Sequence, residues 1–202
     1  MSTTTLYAEL VVVGSGVVIF ILLLFYSLFG NASWFTKLQS LTSIGSAIYF
    51  IPVLSVIYLL GIVIANVSHL LFERREKQLR SETLKNFDAE YEKIRNDLYT
   101  LANTKDLVEE FEFRRSKVRI CRGWFVNSIL IIFSLSACLL AGKIPCSVAW
   151  FWIITVGLLA VGSRVSWRVA TETELQWFRS LAEQQARDRK HLEASTASER
   201  RG

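Results

Sequence analysis

The chain has 202 residues, 51% of them hydrophobic and 20% charged, with a formal net charge of +5. So much apolar and so much charged material in one short chain requires that the two be segregated along it. Three cysteines and two histidines exclude an outer disulfide framework and a Cys/His metal site. Cys121 and Cys138 fall at or within one apolar run, Cys146 stands apart, and His69 and His191 are each isolated.

Four apolar runs carry no Asp, Glu, Lys or Arg: residues 10–29, 47–65, 124–141 and 148–162. A helix rising 1.5 Å per residue needs about 20 apolar residues to cross ~30 Å of hydrocarbon, and a soluble core helix would show a polar face every turn. The first run is read as a retained span. Its leader, MSTTTLYAE, lacks a basic residue, its apolar stretch is longer than a signal core, and no small-residue cleavage site follows Phe29. Glu9 stands at its entrance. Gly14-Ser15-Gly16 lies inside it and suits close helix packing rather than phosphate binding. Asn31-Ala32-Ser33 matches a glycosylation sequon, but the stretch reads as the start of a short amphipathic segment with Trp34, Phe35, Leu38 and Leu41.

The second span, which continues past its apolar run, carries a sparse polar stripe. Pro52, Ser55, Ile62, Asn66 and His69 recur along one helix face, with Leu59 between them. On the third run Asn127 and Ser134 are one heptad apart and share a face. Two readings are open for these residues: hydrogen bonds to a neighbouring helix, or the wall of a pore lined by weakly polar and apolar rings. Pro52 is expected to kink its helix and to serve as a gating bend. The fourth run is short enough to be re-entrant, but Trp150, Trp152 and Trp167 bracket it like interfacial anchors and favour a span.

Of the 23 Lys and Arg, 21 lie between the second and third runs or beyond the fourth, and only Lys37 and Lys143 lie in the other two connections. The bias of Lys and Arg toward the cytoplasmic face therefore predicts both termini and the long linker inside. Within that linker Leu84, Phe87, Tyr91, Ile94, Leu98 and Leu101 alternate in steps of three and four, the seam of a coiled coil or helical hairpin. Asn103-Thr104-Lys105-Asp106 supplies turn and capping chemistry, and a second helix runs through Leu107, Val108, Phe111 and Val118 into the third span. No Pro or Gly occurs between Gly61 and Gly123, so the second span is expected to continue inward as one helix. The tail repeats the pattern with Leu175, Phe178, Leu181 and Gln185. These seams either close an inner bundle within one chain or face neighbouring subunits; a single short hairpin buries little, which favours a homo-oligomer.

The predicted organisation is all-α: spans one and two in residues 1–72, a cytoplasmic helical hairpin in 73–120, spans three and four in 121–164, and a helical tail in 165–202. Arg114, Arg115, Lys117, Arg119 and Arg122 cluster before the third span. They serve either as headgroup anchors, with membrane lipid as partner, or as a basic collar that attracts anions, nucleotides or nucleic acid. Catalysis is not expected. The spans lack acidic residues, and Ser55 and His69 share a face but stand about 21 Å apart on one helix. Arg187-Asp188-Arg189-Lys190-His191 has too short a spacing for a nuclease motif and reads as a solvated helix end. No residue pattern implies a cofactor.

The four spans, both termini inside and a helical inner loop are similar in arrangement to Orai-like, bestrophin-like and connexin-like oligomeric channels. The chain lacks the paired outer cysteines of connexins and the intramembrane glutamate of Orai-like pores. Its small size, the 84–101 seam and the Arg-rich 114–122 junction also resemble the membrane effectors of prokaryotic anti-phage systems. That resemblance implies a homo-oligomeric pore in a bacterial inner membrane, gated by a cytoplasmic nucleotide, nucleic acid or protein. The alternative expectation is a non-conducting scaffold that recruits a soluble partner through the linker and tail.

Overall fold

The structure, a computed structural model, describes residues 3–29, 46–84 and 105–199. Among them there is no strand; apart from one turn, all lie in four helices: α1 Thr3–Phe29, α2 Ser46–Leu84, α3 Lys105–Leu140 and α4 Cys146–Glu199. Each contains a segment long and apolar enough to cross a membrane: Leu6–Phe29, Pro52–Glu82, Glu109–Leu140 and Cys146–Ser180. The β-branched residues of α1, weak helix formers in water, stay helical because backbone groups in apolar surroundings must bond within their own segment. α2 runs past the second apolar run to Leu84 without interruption, and Pro52 lies within it. A proline has no N–H, so the Ile48 carbonyl one turn earlier loses the donor that a helix would otherwise bring to it.

The turn between α3 and α4 has a specific chemical cause. Gly142 takes a φ of 65°, its N–H bonds the Leu139 carbonyl at 3.0 Å, and the Lys143 N–H bonds the Cys138 carbonyl at 3.1 Å. This pair of bonds closes a helix end around a left-handed residue, a conformation glycine adopts without a Cβ penalty. The Ala149 N–H then bonds the Pro145 carbonyl to open α4.

The chain divides into two compact units: Met1–Phe72 with Ser116–Arg168, and Glu73–Arg115 with Val169–Gly202. The first unit holds seven Lys and Arg against a single acid, Glu9, for a net +6; the second holds sixteen against seventeen acids, for a net −1. The whole +5 excess thus belongs to the first unit. Its centre is a cluster of Val13, Val17, Ile64 and Val126, with Phe20, Ile21, Leu60, Phe125 and Leu130 packed against them.

The second unit is built on aromatics. Phe111 meets Phe178 edge-on at 5.2 Å and stacks with Trp177 at 6.4 Å. Phe111, Leu175 and Phe178 are buried. Ion pairs one helical turn apart line its exposed faces, as between Lys77 and Glu73 at 2.7 Å and between Arg179 and Glu183 at 3.1 Å; such pairs add only about 0.3–0.5 kcal/mol each. The seam residues Phe87, Tyr91, Ile94, Leu98 and Leu101, the side chain of Leu84, the Asn103 turn and the 31–41 segment lie outside the described residues, as do the side chains of Leu181 and Gln185.

Candidate functional site

Three polar side chains of α3 converge on its contact with α1, to which it runs parallel. The side chain of Asn127 donates from Nδ2 to the Val13 carbonyl at 2.7 Å, Ser134 Oγ donates to the Phe20 carbonyl at 3.3 Å, and Cys138 Sγ donates to the Leu23 carbonyl at 3.3 Å. Positions 127, 134 and 138 fall on one face of α3, and 13, 20 and 23 on one face of α1, so a row of side-chain donors meets a row of backbone carbonyls. Glycines make the approach possible. A Cβ on Gly16 would overlap the Asn127 amide, and one on Gly123 would come within 2.7 Å of Val13.

The same seam ends in an ion pair. Arg119 Nε and Nη2 donate to the two carboxylate oxygens of Glu9 at 3.0 and 3.4 Å. Glu9 is only 6% exposed, while the Arg119 side chain keeps 29% of its surface. In the sequence Glu9 stands out only as a residue at the entrance of the first span. The available signal was that it is the only acid in residues 1–72, with an arginine at matching depth on another apolar helix. At the opposite end, Tyr26 Oη donates to the Lys143 carbonyl at 3.5 Å.

α1 meets α2 through backbone rather than side chains. A Cβ on Gly14 would overlap the Ile57 carbonyl, and one on Gly61 would overlap the Leu10 carbonyl. The two glycines thus answer each other across the crossing, as small residues do at helix interfaces in apolar surroundings. Tyr7 and Tyr58 stack beside it at 4.7 Å.

A third contact joins α2, α3 and α4 well inside each helix. Phe72 packs edge-on against Phe125 at 5.4 Å and against Trp167 at 4.6 Å. The Arg164 guanidinium lies over both phenyl rings, 5.9 Å from the Phe72 centroid and 5.5 Å from that of Phe125.

These placements divide the residues singled out from the sequence. Asn127 and Ser134 are fully buried, and each bonds an α1 carbonyl. Ser55, Asn66 and His69 are exposed on α2, and Ile62 is half-buried. Trp150 and Trp152 are exposed, but Trp167 is buried in the aromatic cluster and corrects the reading of it as an interfacial anchor. Three members of the basic group have partners within the chain. Arg114 pairs with Glu110 at 2.6 Å and lies over Trp177, Arg115 lies over Phe111, and Arg119 holds Glu9. Lys117 is exposed and Arg122 half-buried. Among the described residues no group of three His, Cys, Asp or Glu is placed to hold a metal.

Comparison with known proteins gives no match: no family model, no curated protein and no solved structure matches the chain.

Proposed function

We propose that this chain is the subunit of a homo-oligomeric membrane pore whose wall is formed by α2. One observation carries this reading. The apolar segment of α2 is only 17% buried, yet its exposed surface holds Asn66 and His69, whose side chains make no hydrogen bond among the described residues. Polar side chains at membrane depth are costly unless a water-filled path or another helix receives them. Asn127 and Ser134 of α3, by contrast, already bond α1 carbonyls.

Arranged around an axis, the α2 helices would present Ser55, Ile62, Asn66 and His69 in successive rings. The helix runs unbroken to Leu84, beyond its apolar part, so a cytoplasmic ligand that moves the second unit would tilt the wall directly. The resemblance to anti-phage effectors makes a nucleotide or nucleic acid the first trigger to try.

The test is ion and dye flux from liposomes holding the purified protein, with a mass measurement of the detergent-solubilised assembly. Asn66→Leu with His69→Leu is expected to change conductance at least several-fold, whereas Asn127→Leu alters stability and leaves conductance as it was. A monomer or dimer with no flux, with or without cytosolic factors, would replace the pore with a scaffold that recruits a soluble partner.

A further inference from the structure

The first unit's charge excess raises the question of what answers it. Its only carboxylate, Glu9, is taken by Arg119. Arg164 is different: among the described residues it makes no ion pair or hydrogen bond, only its two ring contacts. A guanidinium stacked on rings has its face covered but keeps its in-plane N–H groups, and that rigid fork matches the oxygens of a phosphate. The residue is half-buried, held in place and reachable.

The surface of α4 beside Arg164 is apolar and uncovered. Toward the start of the helix, one face carries Val161 at 62% exposure, Gly157, and Ile154 at 59%, then Trp150. A Cβ on Gly157 would meet nothing within 4 Å, so the column has a shallow dip at its middle. From Arg164 to Trp150 it runs about 21 Å. Arg164 itself lies 18 positions beyond Cys146, about 27 Å along the helix, where the phosphates of one leaflet would lie if the start of α4 marks the other.

We propose that Arg164 and this column bind one anionic phospholipid, the phosphate on the guanidinium and an acyl chain along Val161, Gly157 and Ile154. A nucleotide or free phosphate would use the cation and leave the column empty; a lipid uses both. The unit's +6 charge favours an anionic headgroup over a zwitterionic one. The site rests on membrane insertion and is independent of whether the protein conducts.

The experiment is native mass spectrometry of the full chain in a non-ionic detergent, titrated with phosphatidylglycerol or phosphatidylcholine. Retention of phosphatidylglycerol is expected to exceed that of phosphatidylcholine several-fold and to fall as salt rises. Arg164→Gln should remove that preference. Gly157→Leu, which enters open space and leaves every charge in place, should weaken retention of phosphatidylglycerol; Lys143→Gln should leave it unchanged. Equal retention of the two lipids, or a preference untouched by both Arg164→Gln and Gly157→Leu, overturns the proposal. Displacement of the lipid by millimolar inorganic phosphate or ATP would assign Arg164 to a soluble ligand instead. Carbonate extraction from membranes, run in parallel, tells failure of the site from failure to insert.

Discussion

Asn127 reaches from α3 to α1 and donates to the Val13 carbonyl at 2.7 Å, and it does so over the bare Cα of Gly16. The bond and the glycine depend on each other. A side chain at 16 would push the amide away from the carbonyl, and an alanine at 127 would leave the glycine facing a gap. The amide oxygen of Asn127 is buried and has no hydrogen-bond partner among the described residues, which offsets part of what the amide hydrogens contribute.

Gly16→Ala is therefore expected to destabilise the protein, and Asn127→Ala to relieve much of that loss. The double variant should fall short of additivity by about 1–2 kcal/mol. Asn127→Ala alone should be mild, since interhelical side-chain bonds in membranes contribute about 0.6 kcal/mol on average. Gly14→Ala meets the Ile57 backbone carbonyl, which no side-chain truncation can move, so Asn127→Ala should not rescue it. Thermal unfolding in detergent reads the three single and two double variants, and strict additivity of Gly16→Ala with Asn127→Ala would show that the two are not coupled.

The Glu9–Arg119 pair is expected to respond unequally to its two halves. Glu9→Gln leaves an arginine that keeps 29% of its side-chain surface and can recover water, costing about 1–3 kcal/mol. Arg119→Met strands a buried carboxylate and should cost more, about 3–5 kcal/mol. The double variant should be more stable than Arg119→Met alone. The same unfolding assay decides; the reverse order of the two single variants would contradict the difference in burial between the partners.

Cysteine accessibility tests the orientation expected from the charges. Cys146 is exposed at the start of α4, whereas Cys138 is fully buried and bonded to the Leu23 carbonyl. A membrane-impermeant maleimide added to intact cells should label the protein, and Cys146→Ser should abolish that labelling. Labelling only after permeabilisation would place the α3–α4 turn on the inside and reverse the orientation.

Much of the architecture was legible because it depends on local chemistry. Charge-free runs long enough to span hydrocarbon, and no Pro or Gly between Gly61 and Gly123, are sufficient to predict long helices, since a backbone in apolar surroundings has few other ways to satisfy its polar groups. The partners of the polar residues were not legible. Asn127 and Ser134 share a face of α3 whichever neighbour that face meets, and periodicity is silent on the neighbour. Asn66 and His69, three positions apart, likewise share a face of α2 yet are exposed.

The sequence by itself determined four apolar helices, a charge-rich remainder and the confinement of excess positive charge to particular helix ends, because composition and period act within a single segment. Only the tertiary structure decided that α1 carbonyls take the polar row of α3, that Glu9 is the buried partner of Arg119, and that Arg164 is braced on Phe72 and Phe125. Those outcomes depend on which helices approach closely enough to touch, and that is set jointly by glycines on one helix and side chains on another, a relation between distant segments that no single stretch of sequence contains.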